Sequence, residues 1–145
     1  MKFAIRAAAI QPLEDMKVVC YYGCLLTRPP QITGAADWEN PVLMDELMEL
    51  IGTAVRPWSY KTECCGASLS LTRSDIVSRL VGNLVEAALE AGAEAIVTAC
   101  PLCQANLDMR QTGRTKIPVY YFTELMALAF GESEARKWIK GHMIR

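Results

Sequence analysis

Apolar positions along the chain recur with two different periods, which predict strands and helices in alternation. Short runs rich in β-branched and aromatic residues predict buried strands, whereas apolar residues spaced three and four apart predict amphipathic helices. The predicted strands are residues 17–22, 57–63, 94–99 and 117–122. The predicted helices are residues 41–51, 74–91, 104–111, 123–130 and 132–140.

Residues at the ends of these segments support several of the boundaries. Asn40 and Pro41 are typical of a helix N-cap and first helical position, and Gly92 ends the long helix over residues 74–91. The alternation of strands and helices favours an α/β fold, with a parallel four-stranded sheet and helices on both of its faces. In such sheets, functional sites lie at the carboxyl ends of the strands, and we expect a metal site there.

Length, charge and apolar content limit the classes of function. At 145 residues the chain is long enough to bury the core of one domain, so a metal would serve chemistry rather than folding. A formal net charge of -1, without a dense basic patch, argues against nucleic-acid binding. No segment is apolar over the roughly 18 residues that a membrane-spanning helix needs, so no membrane span is predicted.

Residues 1–16 precede the first predicted strand, and we interpret them as an N-terminal arm. The apolar start has the look of a short signal peptide, but it breaks at Gln11 and Pro12, with Glu14 and Asp15 close behind. We therefore expect a cytoplasmic location. In that reducing compartment, six cysteines indicate metal or redox chemistry rather than a disulfide framework.

Five of the six cysteines come after the predicted strands, one after the first strand, two after the second and two after the third. They are Cys24, Cys64, Cys65, Cys100 and Cys103. Because the carboxyl ends of parallel strands share one edge of the sheet, we expect these thiols to converge. Five thiols are one more than a four-thiolate zinc site or a simple cubane cluster requires, which favours a larger iron–sulfur assembly.

Three other interpretations of the cysteines stay open on the residues alone. The thiols would pack as small hydrophobic groups in the first, and hold a structural zinc ion in the second. In the third, Cys100 and Cys103 form a CxxC redox pair whose thiolate is stabilised by a helix N-terminus, which leaves the other three thiols unexplained.

Several other residues are predicted to have ordinary structural roles. Cys20 lies inside the first predicted strand and is expected to pack in the core rather than to bind metal. His142, the only histidine, is expected to be a solvated tail residue. Three acidic residues have the spacing of a solvated helix face: Asp45, Glu46 and Glu49.

Three cysteine-containing segments together resemble the second cysteine-rich (CCG) module of the B-type subunit of heterodisulfide reductase. They are residues 21–29 (YYGCLLTRP), 58–71 (WSYKTECCGASLSL) and 99–111 (ACPLCQANLDMRQ). The resemblance covers residues 17–130. It makes residues 17–145 a CCG domain and leaves residues 1–16 without a counterpart. The flanks of the cysteines favour this type of subunit over related lactate, glycolate and succinate enzymes.

The resemblance implies a noncubane 4Fe-4S cluster, with zinc as a replacement if the cluster is lost. The implied ligands are Cys24, Cys64, Cys65, Cys100 and Cys103. It implies no catalytic residue beyond the cluster, and a small-molecule disulfide as substrate, which in methanogenesis is the mixed disulfide of coenzymes M and B. The implied partners are heterodisulfide reductase subunits of the A and C types and a second CCG module, because the B-type subunit of the family joins two modules in one chain.

Overall fold

Four short strands form one sheet in which every neighbouring pair runs parallel. The computed structural model describes residues 1–144, and within them the strands are β1 (Lys17–Tyr21), β2 (Ala54–Val55), β3 (Ala95–Thr98) and β4 (Val119–Tyr121). Their order across the sheet is β2-β1-β3-β4. Ile96 of β3 lies opposite Val19 on one side and Val119 on the other. The predicted α/β class with a parallel four-stranded sheet is confirmed.

Helices precede, connect and follow these strands. They are α1 (Lys2–Ala8), α2 (Pro30–Thr33), α3 (Leu43–Leu50), α4 (Ser74–Glu90), α5 (Pro101–Met109), α6 (Phe122–Ala129) and α7 (Ala135–Lys140), with a 3-10 turn at Ala67–Leu69. The arm predicted over residues 1–16 thus contains a helix, and Lys2 of this helix pairs with Glu46 of α3 at 2.8 Å. No helix within residues 1–144 has the length and apolar character needed to cross a bilayer.

Alternate residues of β1 point to opposite faces of the sheet and build two separate core clusters. Val19 and Tyr21 belong to the cluster that packs on α4 and α5. Val18 and Cys20 belong to the cluster that packs on α3 and α6, where Cys20 is fully buried. Helices therefore cover both faces of the sheet, as the sequence pattern predicts. Successive side chains of a strand point to opposite faces, so each face of β1 contributes to its own core cluster.

The second strand is not where the sequence pattern puts it. The prediction over residues 57–63 is wrong, since the paired segment is Ala54–Val55. Arg56 N–H donates to the Val18 carbonyl at 2.7 Å, but Pro57 then interrupts the ladder. The next β1 carbonyl in line, that of Cys20, accepts the indole N–H of Trp58 at 2.9 Å instead. The aromatic residues that imitate a strand pattern here pack as a loop against the core.

The start of α3 also differs from the prediction, because a tyrosine hydroxyl caps it. The helix begins at Leu43 with Val42 at the N-cap position, so the expected cap at Asn40 is wrong. The hydroxyl of Tyr22 accepts the backbone N–H groups of Met44 at 2.8 Å and Asp45 at 3.2 Å. A side chain from the residue that follows β1 thus satisfies the helix amides that a local N-cap would otherwise satisfy.

A buried ion pair joins α3 to the segment that precedes Cys64. Lys61 Nζ lies 2.7 Å from Asp45 Oδ1, with side-chain exposures of only 9% and 13%. Lys61 also donates to the Pro41 carbonyl at 3.0 Å, and Tyr22 donates to Asp45 Oδ2 at 2.6 Å. The expectation that Asp45 lies on a solvated helix face is therefore wrong, because its carboxylate is a structural anchor.

The C-terminal segment folds back on α5 and α6, and the expectation of a solvated His142 is also wrong. Its imidazole is 8% exposed, with Nε2 at 2.9 Å from Glu124 Oε1 and Nδ1 at 2.8 Å from Gln104 Nε2. Asp108 Oδ2 accepts the backbone N–H of Met143 at 2.9 Å. Sequence position near a terminus does not reveal such contacts, since they form only when the tail docks.

The two lysine–carboxylate pairs on α3 provide a matched test of burial. Lys61→Met leaves Asp45 without its cation in a buried setting, and we expect a loss of about 3 kcal/mol in the free energy of unfolding. Lys2→Met breaks the exposed pair with Glu46 and is expected to cost less than about 1 kcal/mol. Urea denaturation of both variants measures the difference, and equal losses would contradict the assigned role of Lys61.

Candidate metal centre

The cysteines reach one edge of the sheet on three loops. Cys24 follows β1 after Tyr22 and Gly23, and Cys100 is the N-cap residue of α5, directly after β3. Cys103 lies in the first turn of that helix. The adjacent residues Cys64 and Cys65 arrive on the long loop after β2, nine residues or more beyond its last paired position, rather than directly from a strand.

Two close sulfur pairs link these loops. Cys24 Sγ lies 4.0 Å from Cys64 Sγ, and Cys65 Sγ lies 3.6 Å from Cys103 Sγ. The sulfur of Cys100 is in turn within hydrogen-bonding reach of Cys103. All five predicted thiols thus form one connected set, whereas Cys20 lies in the core cluster on the opposite face of the sheet.

The thiol set is buried at one end and open at the other. Cys65, Cys100 and Cys103 are buried, Cys24 is half-buried and Cys64 is exposed. The backbone N–H of Gly66 donates to Cys64 Sγ at 3.3 Å, which holds the exposed sulfur in place. Solvent, a ligand or another protein therefore reaches the set from the side of Cys64.

The environment favours a thiolate at Cys65. The hydrogen bond from Cys103 is the main cause that lowers the pKa of Cys65 to about 6, with further help from the Ala67 amide and Asn106. The same contact with Cys65 and burial raise the pKa of Cys103. Burial and the neighbouring Cys64 raise the pKa of Cys24. Metal-binding sites use the thiolate form, so the lowered pKa of Cys65 favours binding of a metal by this sulfur.

Two glycines with left-handed backbone conformation allow the close approach of the loops. Gly23 has φ +66°, and a Cβ atom there would lie 3.1 Å from Cys103 Sγ and 3.3 Å from the Tyr21 hydroxyl. Gly66 has φ +77°, and a Cβ atom there would lie 2.9 Å from a methyl group of Leu80. Glycine is favoured at both positions because other residues are strained at positive φ.

The donor set fits a metal group that spans several ions. Thiolates at about 2.3 Å from a tetrahedral metal are separated by about 3.8 Å, close to both observed sulfur separations. Within residues 1–144, however, no three His, Cys, Asp or Glu side chains are arranged to hold a single ion. Soft thiolates bind both zinc and iron–sulfur clusters, so the type of ligand does not decide between them. Two thiol pairs on different loops suit a group with several irons better than one zinc ion.

Five exposed leucines lie close to the cysteines along the chain. Leu25 and Leu26 follow Cys24, Leu69 and Leu71 follow the Cys64–Cys65 pair, and Leu102 lies between Cys100 and Cys103. All five are exposed, with Leu71 at 98% and Leu25 at 61%. We call these five leucines the leucine rim. Tyr22 and Leu26 line a cavity of about 510 Å³ between the 25–40 loop and α3.

A family comparison agrees with this geometry. The sequence model of the family described as the cysteine-rich domain (CCG) matches residues 18–108, which include all five thiols of the set. The chain belongs to the cysteine-rich domain family. The match begins within β1 and ends within α5, so it contains the strands and loops that position the thiol set.

Similar proteins are subunits of two kinds of reductase. The chain is 30% identical over 140 residues to the B-type subunit of the ferredoxin:CoB-CoM heterodisulfide reductase of Methanosarcina mazei, covering 90% of this chain and 47% of that protein. It is 28% identical over 134 residues to the 8-methylmenaquinol:fumarate reductase membrane anchor subunit of Wolinella succinogenes, covering 88% and 47%. The chain thus spans about half the length of these curated relatives. Similarity of this size to both does not separate one reductase from the other.

Sequence reasoning missed the polar groups that hold the cysteine loops, one of them a backbone carbonyl and the other a side chain. Lys61 accepts the N–H groups of Tyr22 and Gly23 at its backbone carbonyl, at 2.8 and 3.0 Å, and so ties the Cys24 loop to the Cys64 loop. Asn106 contacts Cys65 from α5. The sequence contains a signal for Asn106, because a residue three positions after Cys103 shares its helix face. No comparable signal marks Lys61.

Gly23 and Gly34, which both have positive φ, allow a matched test. Gly23→Ala and Gly34→Ala both introduce strain at positive φ, which costs about 1 kcal/mol in each case. Only at Gly23 does the added methyl group press on Cys103 Sγ, since nothing lies within 4 Å at Gly34. We expect Gly23→Ala alone to weaken binding of Co²⁺, followed through thiolate-to-cobalt absorption bands. Equal affinities in the two variants would show that the Gly23–Cys103 contact does not shape the site.

Proposed function

We propose that the chain is an iron–sulfur module that passes electrons to a disulfide, as part of a B-type subunit of a heterodisulfide reductase. The convergence of five thiols at one edge of the sheet, four of them in two close pairs, carries this proposal. The family match and the similarity to heterodisulfide reductase subunits support it. We further propose that residues 17–145 make up the module and that residues 1–16 are an accessory arm.

The proposed ligands of the cluster are Cys24, Cys64, Cys65, Cys100 and Cys103. A noncubane 4Fe-4S cluster bound there would supply electrons one at a time. The protein's own contribution is to hold the loops, through the Lys61 carbonyl and the left-handed glycines, and to bury three of the sulfurs away from water. Zinc is expected to replace the cluster if iron is lost, because thiolates bind both metals.

The proposed reaction consumes two electrons and two protons for each disulfide and releases two thiols. The electrons come from a partner redox subunit of the A or C type, and the protons come from solvent at the open side of the thiol set. The substrate is the coenzyme M and coenzyme B heterodisulfide or a related small disulfide. The cavity lined by Tyr22 and Leu26 would receive an apolar part of it.

The leucine rim supports a second cysteine-rich module as a partner. Five exposed leucines close to the cysteines along the chain would together give an apolar surface of the kind that marks a protein interface. The chain also spans 47% of the similar reductase subunits, a length that leaves room for a further module in each of them. A facing module would cover Cys64 and the rim together.

A second candidate is an electron relay in a reductase that does not act on disulfides. The similarity to the fumarate reductase anchor subunit favours it, since 88% of this chain is matched there. Under this alternative the same cluster would pass electrons onward without a disulfide in the cavity. A stand-alone CxxC dithiol and a structural zinc module are the remaining alternatives, and they differ from both in metal content.

Metal analysis of anaerobically purified protein, together with its visible spectrum, tests the proposal most directly. We expect iron and sulfide in near-equal amounts and broad visible absorption that bleaches on reduction. Zinc alone would contradict the redox function and support an interaction module. Protein without metal, but with a reversible Cys100–Cys103 disulfide, would support the dithiol alternative. A reducible cluster that no disulfide reoxidises would favour the electron relay.

Cys20 and Cys24 provide a matched pair of cysteine variants. Cys20→Ala is expected to retain iron after anaerobic reconstitution, because this thiol lies in the core on the face away from the thiol set. Cys24→Ala is expected to lose most of its iron, because its sulfur belongs to the 4.0 Å pair with Cys64. Iron and sulfide per chain are measured for both after a check of folding by circular dichroism. Equal losses would mean that the proposed ligand set is wrong.

The chain alone is expected to bind a cluster but to reduce heterodisulfide poorly. Disulfide cleavage takes two electrons, and a single cluster that passes them singly would strand a sulfur radical between the steps. Turnover with a low-potential dye should therefore appear when a second cysteine-rich module is supplied. Full activity from a demonstrated monomer would refute this requirement, whereas activity that rises with protein concentration would identify a homodimer as the functional unit.

A further inference from the structure

Asn106 is a buried polar residue beside the thiol set that is not itself one of the proposed ligands. It lies on α5 at 3% exposure, three residues after Cys103 and therefore on the same helix face. Its Nδ2 atom donates to the backbone carbonyl of Cys65 at 2.8 Å. Its Oδ1 atom accepts the hydroxyl of Ser70 at 3.0 Å. Both ends of a buried carboxamide are thus satisfied by the loop that carries Cys64 and Cys65.

The orientation of this carboxamide is fixed by its partners. A backbone carbonyl only accepts hydrogen bonds, so the amide nitrogen must face Cys65 and the amide oxygen must face Ser70. The same amide is one of the groups that lower the pKa of Cys65, in keeping with its 2.8 Å hydrogen bond to the backbone of that residue. One turn further along α5, Arg110 Nη2 donates to the Ser70 carbonyl at 3.1 Å, which holds the far end of the loop.

We propose that Asn106 is a positioning residue of the thiol set: from α5 it holds the Cys65 backbone, and thereby sets where the Cys65 sulfur lies relative to Cys103. Both residues of the 3.6 Å sulfur pair are then held by α5, since Cys103 is part of this helix and the Cys65 backbone is bound to it through Asn106. Ser70 is the orienting group for Asn106, and Arg110 is an auxiliary clamp on the same loop.

This inference goes beyond the ligand set but rests on the proposed function for its iron-dependent consequences. Residues that orient metal ligands contribute on the order of ten-fold to a hundred-fold to metal affinity. An N–H dipole close to a ligand residue also stabilises the reduced, more negative form of a cluster, so its loss lowers the reduction potential. Two measurements other than enzyme activity therefore report on Asn106.

The test compares Asn106→Leu, which keeps the shape but removes both N–H donors, with Asn83→Leu on the exposed face of α4. In the metal-free protein, Co²⁺ affinity is measured from thiolate-to-cobalt bands. We expect a loss on the order of ten-fold or more for Asn106→Leu and less than about two-fold for Asn83→Leu. In the iron-loaded protein, the midpoint potential of Asn106→Leu should fall and that of Asn83→Leu should stay unchanged.

Ser70 supplies a second test that does not depend on the folding of the core variant. Ser70→Ala removes the hydroxyl that orients Asn106 and is expected to shift affinity and potential in the same direction, by a smaller amount. Ser70→Thr keeps a hydroxyl and should restore both values, because Ser70 is only half-buried.

The outcomes separate positioning from simple stabilisation. Unchanged cobalt affinity and midpoint potential in Asn106→Leu, with or without a lower melting temperature, would overturn the assignment. Equal effects of Ser70→Ala and Ser70→Thr would also overturn it. If the unaltered chain binds cobalt through thiolates but assembles no iron cluster, the proposed function fails, while the cobalt titration still decides the role of Asn106.

Discussion

Parallel pairing of the strands is the constraint on which the thiol set depends. Because β1 and β3 are neighbours and run the same way, the residues that follow them emerge side by side at one edge of the sheet. Cys24 and Cys100 are brought to that edge by the strands they follow, without any long-range recognition of their own. The Cys64–Cys65 pair is different, because its loop leaves the sheet early and must be brought back by other contacts. Two contacts do so: the Lys61 carbonyl accepts N–H groups of the Cys24 loop, and Asn106 on α5 donates to the Cys65 carbonyl.

The sequence pattern predicts this framework well where burial alone decides the structure. The helix predicted over residues 74–91 is observed at Ser74–Glu90, and the strand predicted over residues 94–99 at Ala95–Thr98. Alternation also places Cys20 in the core, as its position inside β1 predicts. The pattern fails at residues 57–63, where Trp58 donates from its side chain to a β1 carbonyl. An apolar aromatic run does not reveal which atom of a residue makes the hydrogen bond.

Buried polar groups are the other part of the molecule that the sequence does not reveal. Asp45 and His142 look like solvated residues in a linear pattern, yet both are nearly buried. Each is satisfied by a partner from a distant segment: Lys61 for Asp45, and Glu124 for His142. A buried polar side chain is tolerated only when such a partner exists, and the partner becomes visible only after the chain has folded. The candidate ligands were easier to predict, because cysteine chemistry is apparent from residue type and position.

The connectivity of the thiols favours a shared metal group over an isolated dithiol. A CxxC pair acting alone would use Cys100 and Cys103 across the first turn of α5. In the folded chain Cys103 Sγ also lies 3.6 Å from Cys65, which belongs to another loop, and the neighbouring Cys64 is 4.0 Å from Cys24 on a third. Exchange within the CxxC pair would leave three further thiols beside it without a function. A group of several irons uses all of them, because its ions lie within a few ångströms of one another and need protein ligands from different directions.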